Sequence, residues 1–159
     1  MVQELVCLSE KNYQMVNVIV NSDSRYPVDK QSIRATIIGL IQGQNISGNV
    51  EIGVSIVGDR KMHEFNKKYR GIDSTTNILS FALEDPISAS QLQQVPKNLG
   101  FVKGVGFIKA PDNILRLGDI LISYPQVIQD ASLEGVSIEE EIRYLIEHGM
   151  KHLLGIHHD

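Results

Sequence analysis

The chain has 159 residues, of which 42% are hydrophobic and 21% are charged, and its formal net charge at pH 7 is −4. These values are typical of one globular domain over residues 1–159, large enough to bury a core without disulfides. The negative net charge argues against a protein that coats nucleic acid by bulk electrostatic attraction, although a local basic patch is compatible with it.

Cysteine usage and hydropathy favour a cytoplasmic protein. The single cysteine, Cys7, cannot form an internal disulfide, which fits a reducing compartment. The opening residues include acidic side chains and lack a long apolar stretch, so we expect no signal peptide. No apolar run is long enough to span a membrane, and we expect no membrane partner.

The first third of the chain predicts a strand, a helix and a second strand. The valine-rich stretch 14–20 predicts a strand. Asp29 is placed to cap a helix over residues 30–45, and the alternation of apolar and polar residues over 49–58 predicts a half-buried strand. The expected apolar face of the helix consists of Ile33, Ile37, Leu40 and Ile41.

The middle of the chain predicts a helix, a strand and a long loop. We expect Asp59 to cap a helix that ends at Arg70, and residues 77–83 to form a third strand. The segment 84–116 is polar and contains prolines, so we expect a loop with a short strand over 105–110. Long loops in compact domains are usually functional or mobile.

The last part of the chain predicts a strand over 117–123 and helices after it, the first over 124–135. Ser137 and Glu140 form a capping box for a further helix, which Gly155 is expected to end. The expected buried stripe of that helix consists of Ile138, Ile142, Leu145 and Ile146. Together these elements predict an α/β (α+β) fold, a mixed β-sheet packed with helices.

Four of the five histidines lie near the C-terminal end of the sequence. His148 and His152 are four positions apart on the predicted helix and therefore share one face. A chain reversal at Gly155 could bring His158 back toward them. Three neutral imidazoles with an open fourth position are typical of a catalytic zinc site, so we expect a metal site in a cleft at the C-terminal helix. His157 is an alternative third ligand or an outer hydrogen-bond partner of the site.

The predicted helix lacks the general base of zinc peptidases. The peptidase pattern H-E-x-x-H requires a glutamate directly after the first histidine, and Gly149 occupies that position here. Glu147 precedes the histidine and faces another direction. The spacing therefore favours metal binding and argues against proteolysis.

Three segments resemble the YbeY family of bacterial metal-dependent endoribonucleases. They are YRGIDSTTNILSF at 69–81, LGDILIS at 117–123 and HGMKHLLGIHH at 148–158. Their order and the strand–helix pattern around them also resemble the family from about residue 49 onward. The resemblance implies an α/β fold with a mixed sheet and a metal in a cleft.

The resemblance also implies site residues and a function. His148, His152 and His158 would be the ligands of one Zn2+ per chain, and Arg70 would be important for activity. The implied activity is zinc-dependent endonucleolytic cleavage of single-stranded RNA in small-subunit rRNA 3′-end maturation, ribosome biogenesis and quality control. Expected partners are small-subunit rRNA, ribosomal proteins and a ribosome-associated GTPase.

One basic stretch could follow an RNA backbone. It contains Arg60, Lys61, Lys67, Lys68 and Arg70. We expect Lys67 and Lys68 to contact RNA, and the guanidinium fork of Arg70 to hold two phosphate oxygens. The alternative interpretation is a solvated helix surface that ends in a cation, as the helix dipole favours.

Five further residues receive no chemical role from the sequence. Asn77, Gly118 and Asp119 are typical of turns and strand ends, and we expect Ser80 and Phe81 to lie in the core. The resemblance implies instead that these residues line the cleft.

Two alternative functions are left open. The first is a non-catalytic ribosome-assembly factor that keeps its metal for folding, which a closed four-ligand site with His157 or Asp159 would favour. The second is a different metallohydrolase such as a peptidase, against which Gly149 counts.

Overall fold

A five-stranded mixed sheet forms the centre of the computed structural model, which describes residues 3–9, 12–44, 46, 48–82 and 114–155. The strands are β1 (Gln3–Ser9), β2 (Asn12–Ser22), β3 (Asn49–Val57), β4 (Ile78–Ala82) and β5 (Ile114–Ser123). Their order across the sheet is β1-β2-β3-β5-β4. Strands β2, β3 and β5 run parallel, and β1 and β4 pair antiparallel at the two edges. The predicted mixed sheet is confirmed.

The described helices cover both faces of this sheet. They are α1 (Lys30–Gln42), α2 (Asp59–Arg70), α3 (Tyr124–Glu134) and α4 (Ile138–Leu153). Neighbouring residues of a strand point to opposite faces, so Ile120 and Leu121 mark the two sides of β5. Residues of α1, α3 and α4 share the larger apolar cluster with Ile120, whereas Met62 and Phe65 of α2 join the smaller cluster around Leu121. Helix α2 therefore lies alone on its face among the described helices.

Local sequence patterns predict several of these elements well. The alternation in β3 buries one side of the strand, consisting of Val50, Ile52, Val54 and Ile56. The capping box of α4 is present, since Glu140 N donates to Ser137 Oγ over 3.1 Å and Ser137 N donates to the Glu140 carboxylate over 3.4 Å. Gly155 has a φ of 73°, which is the expected left-handed conformation.

The buried stripes of two helices differ in part from the predictions. Helix α1 ends at Gln42, three residues before the predicted end, and it buries Ile38 while Leu40 is only half-buried. In α4 the predicted Ile142, Leu145 and Ile146 are buried, but Ile138 is half-buried because it lies at the first position of the helix. No helix among the described residues is both long and apolar enough to cross a membrane.

The prediction that Asp59 caps α2 is wrong. Gly58 is the N-cap and Asp59 lies in the first turn. The Asp59 carboxylate accepts hydrogen bonds from Ser123 Oγ over 2.7 Å and from Gln126 Nε2 over 3.1 Å. These donors come from the junction of β5 and α3. Tertiary hydrogen bonds therefore occupy the carboxylate that the local sequence pattern predicted to cap the helix.

Strand β5 is longer than predicted. It begins at Ile114, so its first residues fall in the segment expected to be a loop, because Ile114 pairs with Asn49 of the neighbouring strand. Gly118 belongs to the strand rather than to a turn, and its φ of 138° coincides with a register shift against β3. The predicted strand at 105–110 and the rest of that loop lie outside the described residues. Strand β1 was not predicted.

Candidate active site

His148 and His152 lie on the exposed side of α4. The opposite side of the helix is buried against the sheet and α1, through residues that include Leu145, Met150 and Leu153. Because this apolar side fixes the rotation of the helix, both imidazoles point away from the core and remain exposed. The predicted pairing of the two histidines on one helix face is therefore seen in the structure.

Ser80 is hydrogen-bonded to the imidazole of His152. Ser80 Oγ lies 2.8 Å from His152 Nδ1. Ser80 pairs with Ile120 across β4 and β5, so its side chain projects toward the face that α4 covers. If Nδ1–H donates to Oγ, the Nε2 lone pair of His152 is the one that can bind a metal. A hydrogen-bond partner behind a ligating histidine is a common feature of metal sites.

The prediction that Ser80 is a core residue is wrong. The residue is half-buried at the side of α4, while its neighbours Leu79 and Phe81 pack on the other face of the sheet. The alternation of the strand contained this signal, because Ser80 must face away from both apolar neighbours. Phe81 is partly buried against its cluster, close to the expectation.

Gly149 brings α4 close to the sheet. A Cβ atom at this position would lie 3.1 Å from the Cδ1 atoms of both Ile78 and Ile120. A side chain at this position would require both isoleucines to shift, and a glutamate would place its charge beside them, so the peptidase base that the sequence lacks is disfavoured in this packing. The structure thus supports the argument against a zinc peptidase.

Arg70 is the last residue of α2 and is exposed. It forms no ion pair with any described residue, and the chain turns directly after it at Gly71, whose φ is 70°. The turn is tied back to the helix by Asp73, whose carboxylate lies 2.7 Å from His63 Nε2 and 3.6 Å from Lys67 Nζ. These contacts, the hydrogen bond from His63 first, lower the pKa of Asp73.

The C-terminal end of α2 and the histidine pair approach strand β4 from opposite faces. Tyr69 packs edge-on against Phe81 with 5.7 Å between ring centroids. Phe81 directly follows Ser80, which contacts His152. Strand β4 therefore lies between the Arg70 end of α2 and the histidine pair, and it contacts both. Lys67 and Lys68 are both exposed on α2, and the Lys68 ammonium lies 5.6 Å from the Tyr69 ring centroid.

Asp119 is a half-buried carboxyl to which the sequence assigned no chemical role. It lies on β5, and a Cβ atom on Gly53 of the adjacent strand would collide with its Oδ1. Burial, followed by the nearby charge of Glu51, raises the pKa of Asp119 to about 6. Glu51 itself lies 3.5 Å from Arg116 Nε and accepts a hydrogen bond of 3.3 Å from Asn17 Nδ2. The α2 face of the sheet thus carries a polar patch.

Comparison with known proteins identifies the family. The model of the family described as Endoribonuclease YbeY matches residues 18–159. The chain belongs to the YbeY family. An endoribonuclease YbeY of Roseiflexus sp. strain RS-1 is 36% identical over 132 residues, covering 83% of this chain and 72% of the relative. An endoribonuclease YbeY of Dehalococcoides mccartyi is 33% identical over 143 residues, covering 90% of this chain and 77% of the relative.

A solved structure supports the fold independently. The solution structure of TM1509 from Thermotoga maritima superimposes with a TM-score of 0.53 and 19% sequence identity. The match covers 89% of this chain and 75% of that protein. At this identity the comparison bears on the fold alone, and it confirms the α/β class with a mixed sheet.

The described residues include two of the three predicted metal ligands. His148 and His152 provide two exposed imidazoles, and Ser80 orients one of them. The predicted third ligand His158 and its alternative His157 lie outside the described residues, and within the described part no three metal-binding side chains are grouped. The donor chemistry fits zinc, for which imidazole is a preferred ligand.

Proposed function

We propose that this protein is a zinc-dependent endoribonuclease that cuts single-stranded RNA in maturation of the small-subunit rRNA 3′ end and in ribosome biogenesis and quality control. The observation that carries the proposal is the exposed pair of His148 and His152, with His152 Nδ1 held by Ser80, in a member of the YbeY family. The relatives that match over most of the chain are named endoribonucleases.

The proposed zinc ligands are His148, His152 and His158, with His157 as the alternative third ligand. When bound, zinc supplies a Lewis acid that can polarise a phosphate oxygen or lower the pKa of a water molecule. In this proposal the Nδ1–H group of His152 donates a hydrogen bond to Ser80 Oγ, which leaves the Nε2 lone pair of the imidazole for the metal. The close packing at Gly149 disfavours a carboxylate there, so we expect cleavage without a glutamate base on this helix.

Arg70 is the proposed phosphate-binding residue. Its guanidinium is exposed, it has no ionic partner among the described residues, and a planar fork can donate to two phosphate oxygens at once. The contacts of Asp73 with His63 and Lys67 fix the turn that follows it. Lys67 and Lys68 would contact the RNA backbone beside this point. By family resemblance, we also propose ribosomal proteins and a ribosome-associated GTPase as partners.

The test is cleavage of a single-stranded RNA by the purified protein, with and without chelator. We expect cleavage to require the metal. Arg70→Ala should reduce cleavage by about 10²–10³-fold, the usual loss when one donor to a developing charge is removed, while zinc content stays unchanged. Arg143→Ala, which removes an exposed arginine of α4, is the matched control. Loss of both cleavage and zinc in Arg70→Ala would assign Arg70 a structural role.

The outcome of this test also separates the alternatives. A folded, zinc-loaded protein that cleaves no RNA would contradict the nuclease proposal and favour a non-catalytic ribosome-assembly factor. Cleavage that survives complete removal of the metal would contradict zinc dependence.

A further inference from the structure

A cleft of about 660 Å³ opens at the other end of α2, away from Arg70. It lies where β2 and β3 end, and in open α/β sheets ligands bind in crevices outside the carboxyl ends of the strands. We call it the α2 cleft. Its lining includes Ser22, Arg25, Ser55, Arg60, Lys61 and Phe65. Its cation Lys61 lies nine residues before Arg70 on α2, a separation of about 14 Å at 1.5 Å per helical residue.

The α2 cleft is positively charged although the whole protein is negative. Arg25, Arg60 and Lys61 face two carboxylates, those of Asp23 and Glu64, which leaves one net positive charge. Lys61 forms no ion pair with a described residue. The contact between Arg60 and Glu64 is 3.7 Å long and largely exposed, so it holds the arginine only weakly.

Arg25 pairs with Asp23 at the wall of the cleft, and 70% of its side-chain surface stays exposed. Its Nε and Nη2 atoms donate to the two carboxylate oxygens of Asp23 over 3.0 and 2.8 Å. Its Cζ atom lies 5.3 Å from the centroid of the Tyr26 ring, which stacks on Tyr124 at 5.0 Å. A guanidinium carries five N–H donors, so this pairing leaves donors for a further anion.

The first turn of α2 adds backbone donors to the same wall. Gly58 lines the cleft and is the N-cap, with no side-chain hydrogen bond to the first turn. A Cβ atom at Gly58 would lie 2.8 Å from the Tyr26 hydroxyl oxygen, so a capping side chain such as serine cannot replace it without displacing Tyr26. The uncapped start of a helix carries partial positive charge, which complements the cations described above.

Aromatic side chains connect the α2 cleft with the strand that holds the histidine pair. Phe65 lines the cleft and stacks on Tyr69 with 5.5 Å between centroids. Tyr69 contacts Phe81, and the residue before Phe81 is Ser80, the partner of His152. Helix α2 therefore carries cations along its length, from the α2 cleft at its N-terminal end to Arg70 at its C-terminal end. Such an arrangement is what binding of one extended RNA strand would require.

We infer that the α2 cleft binds a nucleotide unit of the single-stranded RNA substrate, at a distance from the cleaved bond. Arg25 and Lys61 contact a phosphate, Phe65 offers a ring face to a base, and Ser22 and Ser55 offer hydroxyls to the sugar or base. The inference rests on the proposed RNA substrate and deepens it, because it assigns a second contact region on the same chain.

Binding of a labelled single-stranded RNA to the full-length protein, with the metal removed by chelator, tests the inference without cleavage. The variants are Lys61→Gln, Arg25→Gln and both together, with Arg143→Gln as the charge-matched control. We expect about a tenfold weaker affinity for the double variant, since hydrogen bonds to charged groups are strong. The slope of log affinity against log salt should become shallower by about 0.7 for each phosphate that a variant no longer neutralises.

RNA length gives a second readout. An oligonucleotide too short to span the distance of about 14 Å between Arg70 and Lys61 should bind the variants and the wild type equally. With metal restored, KM for long RNA should rise in the variants, and kcat should fall far less than in Arg70→Ala. Lys61 is an exposed helix residue, so Lys61→Gln keeps the test valid if Arg25→Gln unfolds the protein.

The outcomes distinguish this inference from the proposed function. If the wild type cleaves RNA and both variants keep its affinity and salt slope, the inference is overturned and the function stands. If the variants lose affinity equally for short and long RNA, the cleft is not a remote contact and the inference also fails. If the wild type neither binds nor cleaves RNA, the inference about the α2 cleft and the proposed function are both refuted.

Discussion

Replacing Asp119 with asparagine should stabilise the protein at neutral pH and change its stability little near pH 4. Asp119 lies over Gly53 on the sheet, where burial and then Glu51 raise its pKa from 3.8 to about 6. In the unfolded chain the carboxyl regains its ordinary pKa. Between these two values the folded protein keeps a proton that the unfolded chain has released, so stability falls as pH rises.

The size of the effect follows from the shift. A difference of about two pKa units corresponds to about 3 kcal/mol, at 1.36 kcal/mol per unit. The penalty is absent well below pH 4, where both states are protonated, and it is complete well above pH 6, where both are ionised. Asparagine keeps the shape of the side chain without the charge. We therefore expect a gain of up to about 3 kcal/mol at neutral pH, with residual solvent contact lowering this figure.

Urea unfolding of wild type and Asp119→Asn at several pH values measures this difference. Chelator in both samples removes any contribution from metal binding at the histidines. Glu134→Gln, which deletes an exposed carboxyl of α3, controls for the change in net charge. A gain from Asp119→Asn that is equal at acidic and neutral pH would refute the reasoning, because the buried charge would then not be its source.

Two further substitutions test the packing around the histidine pair. Ser80→Ala should weaken zinc affinity by about 10- to 100-fold, because it removes the hydrogen bond that orients His152, and competition with a zinc indicator measures it. Equal affinity in Ser80→Ala and the exposed control Ser132→Ala would contradict that role. Gly149→Glu should cost about 3 kcal/mol or more of unfolding free energy in urea, because a charge is forced against Ile78 and Ile120. Wild-type stability would show that α4 can move away from the sheet and would remove the steric argument against a peptidase.

The parts of the fold that short-range patterns determine could be read from the sequence. The capping box of Ser137 and Glu140 involves residues three positions apart, and the alternation of β3 is a property of one strand. The shared face of His148 and His152 follows from helical spacing alone. In each case the interacting groups are neighbours in the chain, so local geometry decides the outcome.

Contacts between distant segments could not be read in this way. Asp59 matches the capping pattern, but its carboxylate binds Ser123 and Gln126, which the fold brings beside it. Ser80 contacts His152 across 72 positions of sequence, and only the pairing of β4 with β5 places them together. The joining of His158 to the histidine pair stays a prediction.

The pairing of β3 with β5 has a consequence for the order of folding. These central strands are not consecutive: the chain forms α2 and β4 between Asn49 and its partner Ile114. Closing so long a loop lowers the chain entropy before the stabilising contacts between the strands have formed. The pairing of β3 with β5 is therefore expected to be slow. Helix α4 packs on β4 and β5 at Gly149. Its two histidines can therefore take their positions beside Ser80 only after β3 and β5 have paired. The proposed metal site should therefore form late during refolding, after most of the helical signal has returned.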